Sequence, residues 1–350
     1  MSQTTPETKI SDVSIAPLLN DIFSGKTLDR ASAREVIGHL MDGRLSQMQA
    51  AALLAALRMR GETVEEITGF AEAMRARAVT VPVKRNGPLL DIVGTGGTGL
   101  NTFNISTATL FVVAAGGARI AKHGNRGVTR KSGSADVLEA LGVNLDQTPE
   151  QLAASIEEVG LAFLYARTHH PAMKFVAPIR ADIQARTIFN SIGPLTNPAS
   201  ADRQLMGVFD PHLTETLAQV LSGLGVERAL VVHGAGLDEL TVCGENKVTE
   251  LRDGVTKTFE LTPEEVGLGR YDLKDVMGGT PEENARTIRH LLAGDVRGAK
   301  RDIILLNAGA ALYLVDKAES IAEGVKTAEQ LIDSGEAARK LEQYVAFSRA

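Results

Sequence analysis

The chain has a single cysteine, Cys243, so no disulfide can close within it, which fits a reducing compartment. That cysteine lies in a stretch of alternating apolar residues and reads as a small strand residue. Basic residues are in deficit: 37 Lys and Arg stand against 43 Asp and Glu, a formal charge of −6. A general nucleic-acid binder needs the opposite balance on at least one face. No apolar run is long enough to cross a bilayer. The opening Met-Ser-Gln-Thr-Thr-Pro has neither the charged start nor the apolar core of a signal peptide. No Cys/His ligand set suggests zinc, and there is no internal repeat or low-complexity tract. The expectation is a cytoplasmic protein with no membrane or nucleic-acid partner.

What is present is enough apolar material, 44% of 350 residues, for one large domain and a smaller one. Residues 1–80 read as helices, with Ile15, Leu18, Leu19, Ile22 and Phe23 at helical spacing, then Ala33, Val36, Ile37, Leu40 and Met41. Ser46-x-x-Gln49 and Thr63-x-x-Glu66 are capping boxes that start two more. Between them, Ala50 to Leu57 is apolar on every side and must be covered, by its own bundle or by another subunit. Residues 81–88, with two prolines and no periodicity, form the clearest linker.

Beyond the linker, strand and helix patterns alternate. Strands are expected at 89–93, 119–122, 161–165, 204–208, 228–233, 239–243 and 247–251. Helices are expected near 106–116, 134–141, 149–158 and 213–223, and then near 281–293, 303–315, 320–333 and 335–348. This implies an α/β fold in which a mostly parallel central sheet is flanked by helices, with ligands at the carboxyl edge of the strands.

Two loops fall at that edge. After the apolar run Leu89 to Val93 come glycines 94, 96, 97 and 99, which let the backbone turn tightly and bring its N–H groups to an anion. Asn104, Ser106 and Thr107 then open an apolar helix whose N-terminus attracts negative charge. The second loop, Lys122-His-Gly-Asn-Arg126, adds a cation, an imidazole, a carboxamide and a guanidinium. Gly94, Gly96 and Gly99 also spell G-x-G-x-x-G, but a dinucleotide site wants an acid at the end of the second strand, where Lys122 and His123 stand. Phosphate binding is the better reading.

Further motifs follow in order: Ser132-Gly-Ser-Ala-Asp136, His170-Pro-Ala-Met173, Arg186-Thr-Ile-Phe-Asn190, Gly193-Pro-Leu-Thr-Asn-Pro198 and Gly236-Leu-Asp-Glu239. Together with Asp91-Ile-Val-Gly-Thr-Gly-Gly97, Asn104-x-Ser-Thr107 and the Lys122 loop, they cover most of the chain. The sequence resembles the anthranilate phosphoribosyltransferases of tryptophan biosynthesis. The resemblance implies transfer of a phosphoribosyl group from 5-phosphoribosyl 1-diphosphate (PRPP) to the amine of anthranilate, with two magnesium ions. It implies a homodimer joined through a small N-terminal helical domain, residues 1–80, which a segment near 180–202 returns to join. Residues 81–88 are then a hinge, and 89–350 a large α/β domain carrying the PRPP site.

The resemblance also implies roles. PRPP would contact Gly94, Thr95, Gly96, Gly97 and Thr98 in the first loop, then Thr102, Asn104, Ile105, Ser106 and Thr107 at the helix start. Around the second loop it would contact Lys122, His123, Gly124, Asn125, Arg126 and Gly127, followed by Val128, Thr129, Arg130 and Ser134. Anthranilate would meet Gly94, His123, Asn125, His170, Arg180 and Gly193. Arg180 suits a bidentate pair with the carboxylate, and Gly193 leaves room for a flat ring. Taken singly, Arg180 suits a surface cation and His170 a capping or core histidine. Asp238 and Glu239 match a magnesium-binding acidic pair, and Ser106 a hydroxyl that reaches a second ion. His123, Asn125 and Arg180 are the expected catalytic residues; the amine's surplus proton has the substrate's own carboxylate or water as routes, and His123 is the only protein candidate for a base.

The sequence departs from the family at Thr98, where an acid is usual, and at Arg130, where a small hydroxyl residue is frequent. Thr98 bears on metal affinity. Two rivals are a pyrimidine nucleoside phosphorylase and a non-catalytic nucleic-acid-binding relative of the same fold. Against both stands the Asp238-Glu239 pair, and against the second also the acidic net charge.

Overall fold

A computed structural model describes residues 14–127 and 131–350. Val128, Thr129 and Arg130, three of the expected PRPP contacts, lie outside the described residues. Tertiary contacts divide the chain into two units: residues up to Ala78 together with His170–Ile192, and Val79–His169 together with Gly193–Ala350. Helices α1 (Ala16–Phe23), α2 (Arg30–Met41), α3 (Gln47–Arg60) and α4 (Val64–Arg75) open the first unit. The chain then enters the second unit with β1 (Leu89–Gly94), α5 (Ile105–Ala115), β2 (Arg119–Gly124), α6 (Ser134–Leu141), α7 (Pro149–Glu158), β3 (Leu161–Tyr165) and α8 (Ala166–His169). Helix α9 (Ala177–Ile183) belongs to the first unit. Back in the second follow β4 (Arg203–Gly207), α10 (Leu213–Gly223), β5 (Arg228–Gly234), β6 (Asn246–Arg252) and β7 (Val255–Leu261). Four helices end the chain: α11 (Pro281–Leu292), α12 (Ala299–Leu314), α13 (Ile321–Asp333) and α14 (Glu336–Ser348).

Local signals set the helical unit. Both capping boxes form, Ser46 with Gln49 and Thr63 with Glu66. Glu66 does more than cap. Its buried carboxylate accepts from the N–H of Leu28 at 2.8 Å and of Thr63 at 2.9 Å, and pairs with Arg60. A buried charge is tolerated when every acceptor site is used in this way. Helix α3 buries Ala50, Leu53, Leu54 and Leu57, while Met48 and Met59 on its other side are 84% and 87% exposed.

The α/β unit is built on a seven-stranded sheet in the order β3-β2-β1-β4-β5-β6-β7. The first five strands are parallel, and β6 and β7 run antiparallel at one edge. Strand β1 is buried from Leu89 to Val93, as expected of a strand covered on both faces. Helix α5 lies against β1 and β2 and is covered in turn by α12, α13 and α14. Its Leu110, Phe111 and Val112 are fully buried, each contributing about 2 kcal/mol relative to exposure. Strand order reverses between β1 and β4, and that switch point is where an open α/β sheet leaves a crevice.

One expected strand is absent, and one strand was not foreseen. Residues 239–243 alternate like a strand but are irregular, because buried asparagines supply their backbone partners. Asn307 accepts from Leu240 N–H at 3.2 Å and donates to its carbonyl at 2.8 Å. Asn246 does the same for Thr241, at 2.6 and 3.0 Å. The edge strand is instead β7, joined to β6 through Asp253 (φ 53°) and Gly254 (φ 77°), a two-residue turn with both central residues left-handed.

Candidate active site at the carboxyl edge of the sheet

Strand β1 ends at Gly94, in register with Gly207 at the end of β4. A side chain fits at neither position. A Cβ at Gly94 would lie 2.4 Å from Asp238 Oδ2, and one at Gly207 only 1.8 Å from the Asp238 carbonyl oxygen. Two glycines on adjacent strands thus form the floor on which the loop after β5 seats Asp238. Positive φ at Gly96, Gly97 and Gly99 turns the first loop, and Gly96 N–H donates to Asp238 Oδ2 at 2.7 Å. Thr95 anchors the loop further: its N–H donates to Gly207 O at 2.9 Å, and its hydroxyl accepts from Phe209 N–H at 3.1 Å. The acidic pair and the glycine loop, 142 residues apart in sequence, are in direct contact.

Helix α5 begins beside them. Asn104 precedes it without capping it. Its carboxamide instead donates to Ser132 O at 3.2 Å and accepts from the Ser132 hydroxyl and from Asn284 Nδ2, both at 3.0 Å. The asparagine therefore ties the helix start to the second loop and leaves the first-turn N–H groups without a side-chain cap, as an anion site requires. Lys122, 2% exposed, donates to Ser106 Oγ at 3.3 Å and to the Ile92 carbonyl. Burial pushes its ammonium pKa down, against the pull of Asp91, Glu239 and Asp238. Its electrostatic partners therefore include both members of the acidic pair. Thr102 and Ile105 are buried in the same segment, and the buried Thr107 hydroxyl has no hydrogen-bond partner among the described residues.

The second loop leaves β2 at Gly124, where a Cβ would come 2.6 Å from Phe163 and 3.4 Å from Ser134, the first residue of α6. His123 is buried, and its backbone N–H donates to Asp91 at 3.0 Å. Asn125 is exposed and accepts from Arg126 N–H at 2.8 Å. The Arg126 guanidinium is held on α6 and β3, by Asp136 at 3.0 Å, Glu139 at 2.7 Å and the Tyr165 hydroxyl at 3.1 Å. Bonds to Glu139 and Asp136 raise its pKa. Asp136 also gathers Gly127 N–H at 2.9 Å and Gly133 N–H at 2.8 Å. Burial works against its charge, yet these bonds and Arg126 hold its carboxyl below the usual range.

Among the described residues no group of three or more His, Cys, Asp and Glu side chains could hold a metal ion. Magnesium does not need one, because it takes few carboxylates and completes its shell with water and substrate phosphates. The oxygen donors available, the buried carboxylates of Asp238 and Glu239 and the Ser106 hydroxyl beside Lys122, fit that hard cation.

The remaining expected residues lie elsewhere in the chain. Gly193 is in the α/β unit, in a turn closed by the Thr196 hydroxyl on its carbonyl at 2.8 Å. His170 and Arg180 belong to the helical unit, His170 buried just before a turn of 3-10 helix and Arg180 on α9. Arg180 makes no ion pair among the described residues, and burial lowers its pKa. Sequence reasoning missed the residues that hold the loops: Asp91, Asn197 and Asn284. An asparagine followed by proline at 197 was visible, but nothing local indicated its partner.

A family model described as "Glycosyl transferase family, a/b domain" matches residues 86–338, and one described as "Glycosyl transferase family, helical bundle domain" matches residues 16–78. Anthranilate phosphoribosyltransferase of Symbiobacterium thermophilum is 52% identical over 333 residues, 95% of this chain and 97% of that one. The chain belongs to the anthranilate phosphoribosyltransferase family. The crystal structure of the Thermus thermophilus member superposes with a TM-score of 0.90 at 50% identity, covering 95% of this chain and 99% of that one. The Saccharomyces cerevisiae enzyme in complex with PRPP and Mg gives a TM-score of 0.87 at 28% identity, covering 97% and 99%.

Proposed function

We propose that this enzyme transfers the phosphoribosyl group of PRPP to the amine of anthranilate, releasing diphosphate and N-(5-phosphoribosyl)anthranilate in tryptophan biosynthesis. The observation that carries the reading is the 2.7 Å bond from Gly96 N–H to Asp238, which joins the glycine loop to the acidic pair at the carboxyl edge of the sheet. Breaking the C1′–oxygen bond makes the sugar carbon cation-like and builds negative charge on the leaving diphosphate. The start of α5 and the Lys122 ammonium are assigned to offset that charge, with the glycine loop seating the acidic pair beside them. Asp238 and Glu239 are assigned to one magnesium ion and Ser106 to a second; bound there, magnesium would withdraw charge from the diphosphate as it leaves. An aryl amine is neutral at ordinary pH and needs positioning more than activation. Asn125 and His123 are assigned to it, and the surplus proton leaves to His123, to water or to the substrate's own carboxylate. Arg180, half-buried and lacking an acid partner among the described residues, suits a bidentate pair with the acceptor's carboxylate.

The enzyme is further read as a cytoplasmic homodimer. Met48 and Met59 of α3 and Phe23 of α1 (63% exposed) are large apolar side chains in water, and burying them against a second copy removes that cost. Sedimentation velocity should show a dimer, and a monomer for Met48→Glu/Met59→Glu. A monomeric wild type would count against this part of the reading. The reaction itself is tested by following loss of anthranilate fluorescence with protein, magnesium and PRPP, omitting each in turn. Persistence of the signal in the complete mixture would refute the assignment.

A further inference from the structure

The ladder between β1 and β2 is short. Leu89 pairs with Arg119 and Leu90 with Ile120, whereas β1 and β4 stay in register to Gly94 and Gly207. Past Leu90, side chains bridge β1 and β2. Asp91 Oδ1 accepts from His123 N–H at 3.0 Å, and Lys122 Nζ reaches the Ile92 carbonyl. Asn197 Nδ2 donates to Ala121 O at 2.7 Å and to Asp91 Oδ2 at 2.8 Å, while its Oδ1 accepts from Ala199 N–H at 2.8 Å. Asp91 is fully buried and Asn197 nearly so.

The same asparagine ends the turn that begins at Gly193. That turn is pinned from β4 as well, by the buried Gln204 donating to Pro194 O at 2.7 Å. One carboxylate and one carboxamide therefore fix two segments at once: Lys122-His123, which leads into the second phosphate loop, and Gly193–Asn197. An ionised carboxyl is acceptor-only at both oxygens, which matches the two donors that face it, and no neutral side chain of that size does the same. Burial lifts its pKa to about 6 against the attraction of Lys122, so the charge is kept at a cost that a purely structural filler would not incur.

We infer that Asp91 and Asn197 are positioning residues, a bonded pair that sets the second phosphate loop against the Gly193 turn and so aligns donor and acceptor substrates. The inference rests on the functional reading above, which gives His123, Asn125 and Gly193 to those substrates. Neither residue of the pair is placed to touch a reacting atom.

Steady-state kinetics on Asp91→Asn and Asn197→Ser test it, with circular dichroism and melting temperature recorded for each. In Asp91→Asn one donor meets a donor; in Asn197→Ser the shorter side chain cannot span both strands. The KM values for PRPP and anthranilate should rise together, each by about tenfold or more, because small displacements of positioning groups carry penalties of that order. The double variant should cost no more than the worse single one, since both remove one device. Should Asp91→Asn fail to fold, Asn197→Ser carries the test alone. A lowered melting temperature with both KM values unchanged, or a rise confined to one substrate, overturns the inference. Wild type assayed alongside separates the two readings: a wild type silent toward anthranilate removes the functional reading and this inference with it, whereas an active wild type with unchanged variants removes this inference only.

Discussion

Gly207 and Asp238 meet backbone to backbone: a methyl group at 207 would sit 1.8 Å from the Asp238 carbonyl oxygen. No rotamer change relieves such a clash, so Gly207→Ala must displace the acidic loop, and with it the bond to Gly96 N–H. Turnover should fall by about a hundredfold, the order expected for a misplacement near 1 Å. Gly207 is the last residue of β4, so the rest of the β4–β5 ladder should form and the fold persist. Activity within twofold of wild type would show that the acidic loop is not held by this contact.

Gly193 offers the opposite case. A Cβ there meets no atom within 4 Å among the described residues. Gly193→Ala should leave the melting temperature unchanged, while the KM for anthranilate rises if the space is occupied by the flat acceptor. Unchanged kinetics would free Gly193 from the acceptor site.

The buried Asp91 carboxyl, ordinarily near 3.8, is pushed up to about 6 by burial, in spite of Lys122. The folded protein therefore holds a proton that the unfolded chain releases between those values. The group adds stability below the lower value that is lost as pH rises through the upper one. The carboxamide of Asp91→Asn does not titrate. From about pH 4 to about pH 6.5, the urea midpoint of that variant relative to wild type should move in the variant's favour, then level off. A constant offset across that range would place the proton elsewhere.

Glu66 is the buried charge of the helical unit. Glu66→Ala leaves Arg60 and the N–H groups of Leu28 and Thr63 without their acceptor, a loss of about 3 kcal/mol. Hydrogen exchange in α4 should accelerate accordingly. Glu66→Gln keeps one acceptor oxygen and should lie between the two. Equal protection in all three proteins would mean that this network does not limit opening of the unit.

Local signals in the sequence were legible, and long-range bonds were not. Both capping boxes and the strands β1 to β6 follow from patterns a few residues wide. The span 239–243 failed because its alternation is real, yet its backbone partners are the side chains of Asn246 and Asn307, the latter 67 residues from Leu240. Strand β7 was missed although Asp253-Gly254 announces a two-residue hairpin turn; its mostly polar edge face hid the alternation. At the site, both glycine loops and the acidic pair could be named from their motifs. What places them could not: Asn197 lies 106 residues from Asp91, and Asn284 lies 180 from Asn104. Assigning His170 and Arg180 depended wholly on resemblance, since neither carries a local pattern that separates a ligand from an ordinary capping or surface residue.

The most direct measurement is calorimetric titration of PRPP into wild type and into Asp238→Asn/Glu239→Gln, each with and without magnesium. If the glycine loop, the start of α5, Lys122 and the two carboxylates act on one metal-bound diphosphate, magnesium should strengthen binding to the wild type and have no such effect on the double variant. Identical magnesium dependence in the two proteins would contradict that account.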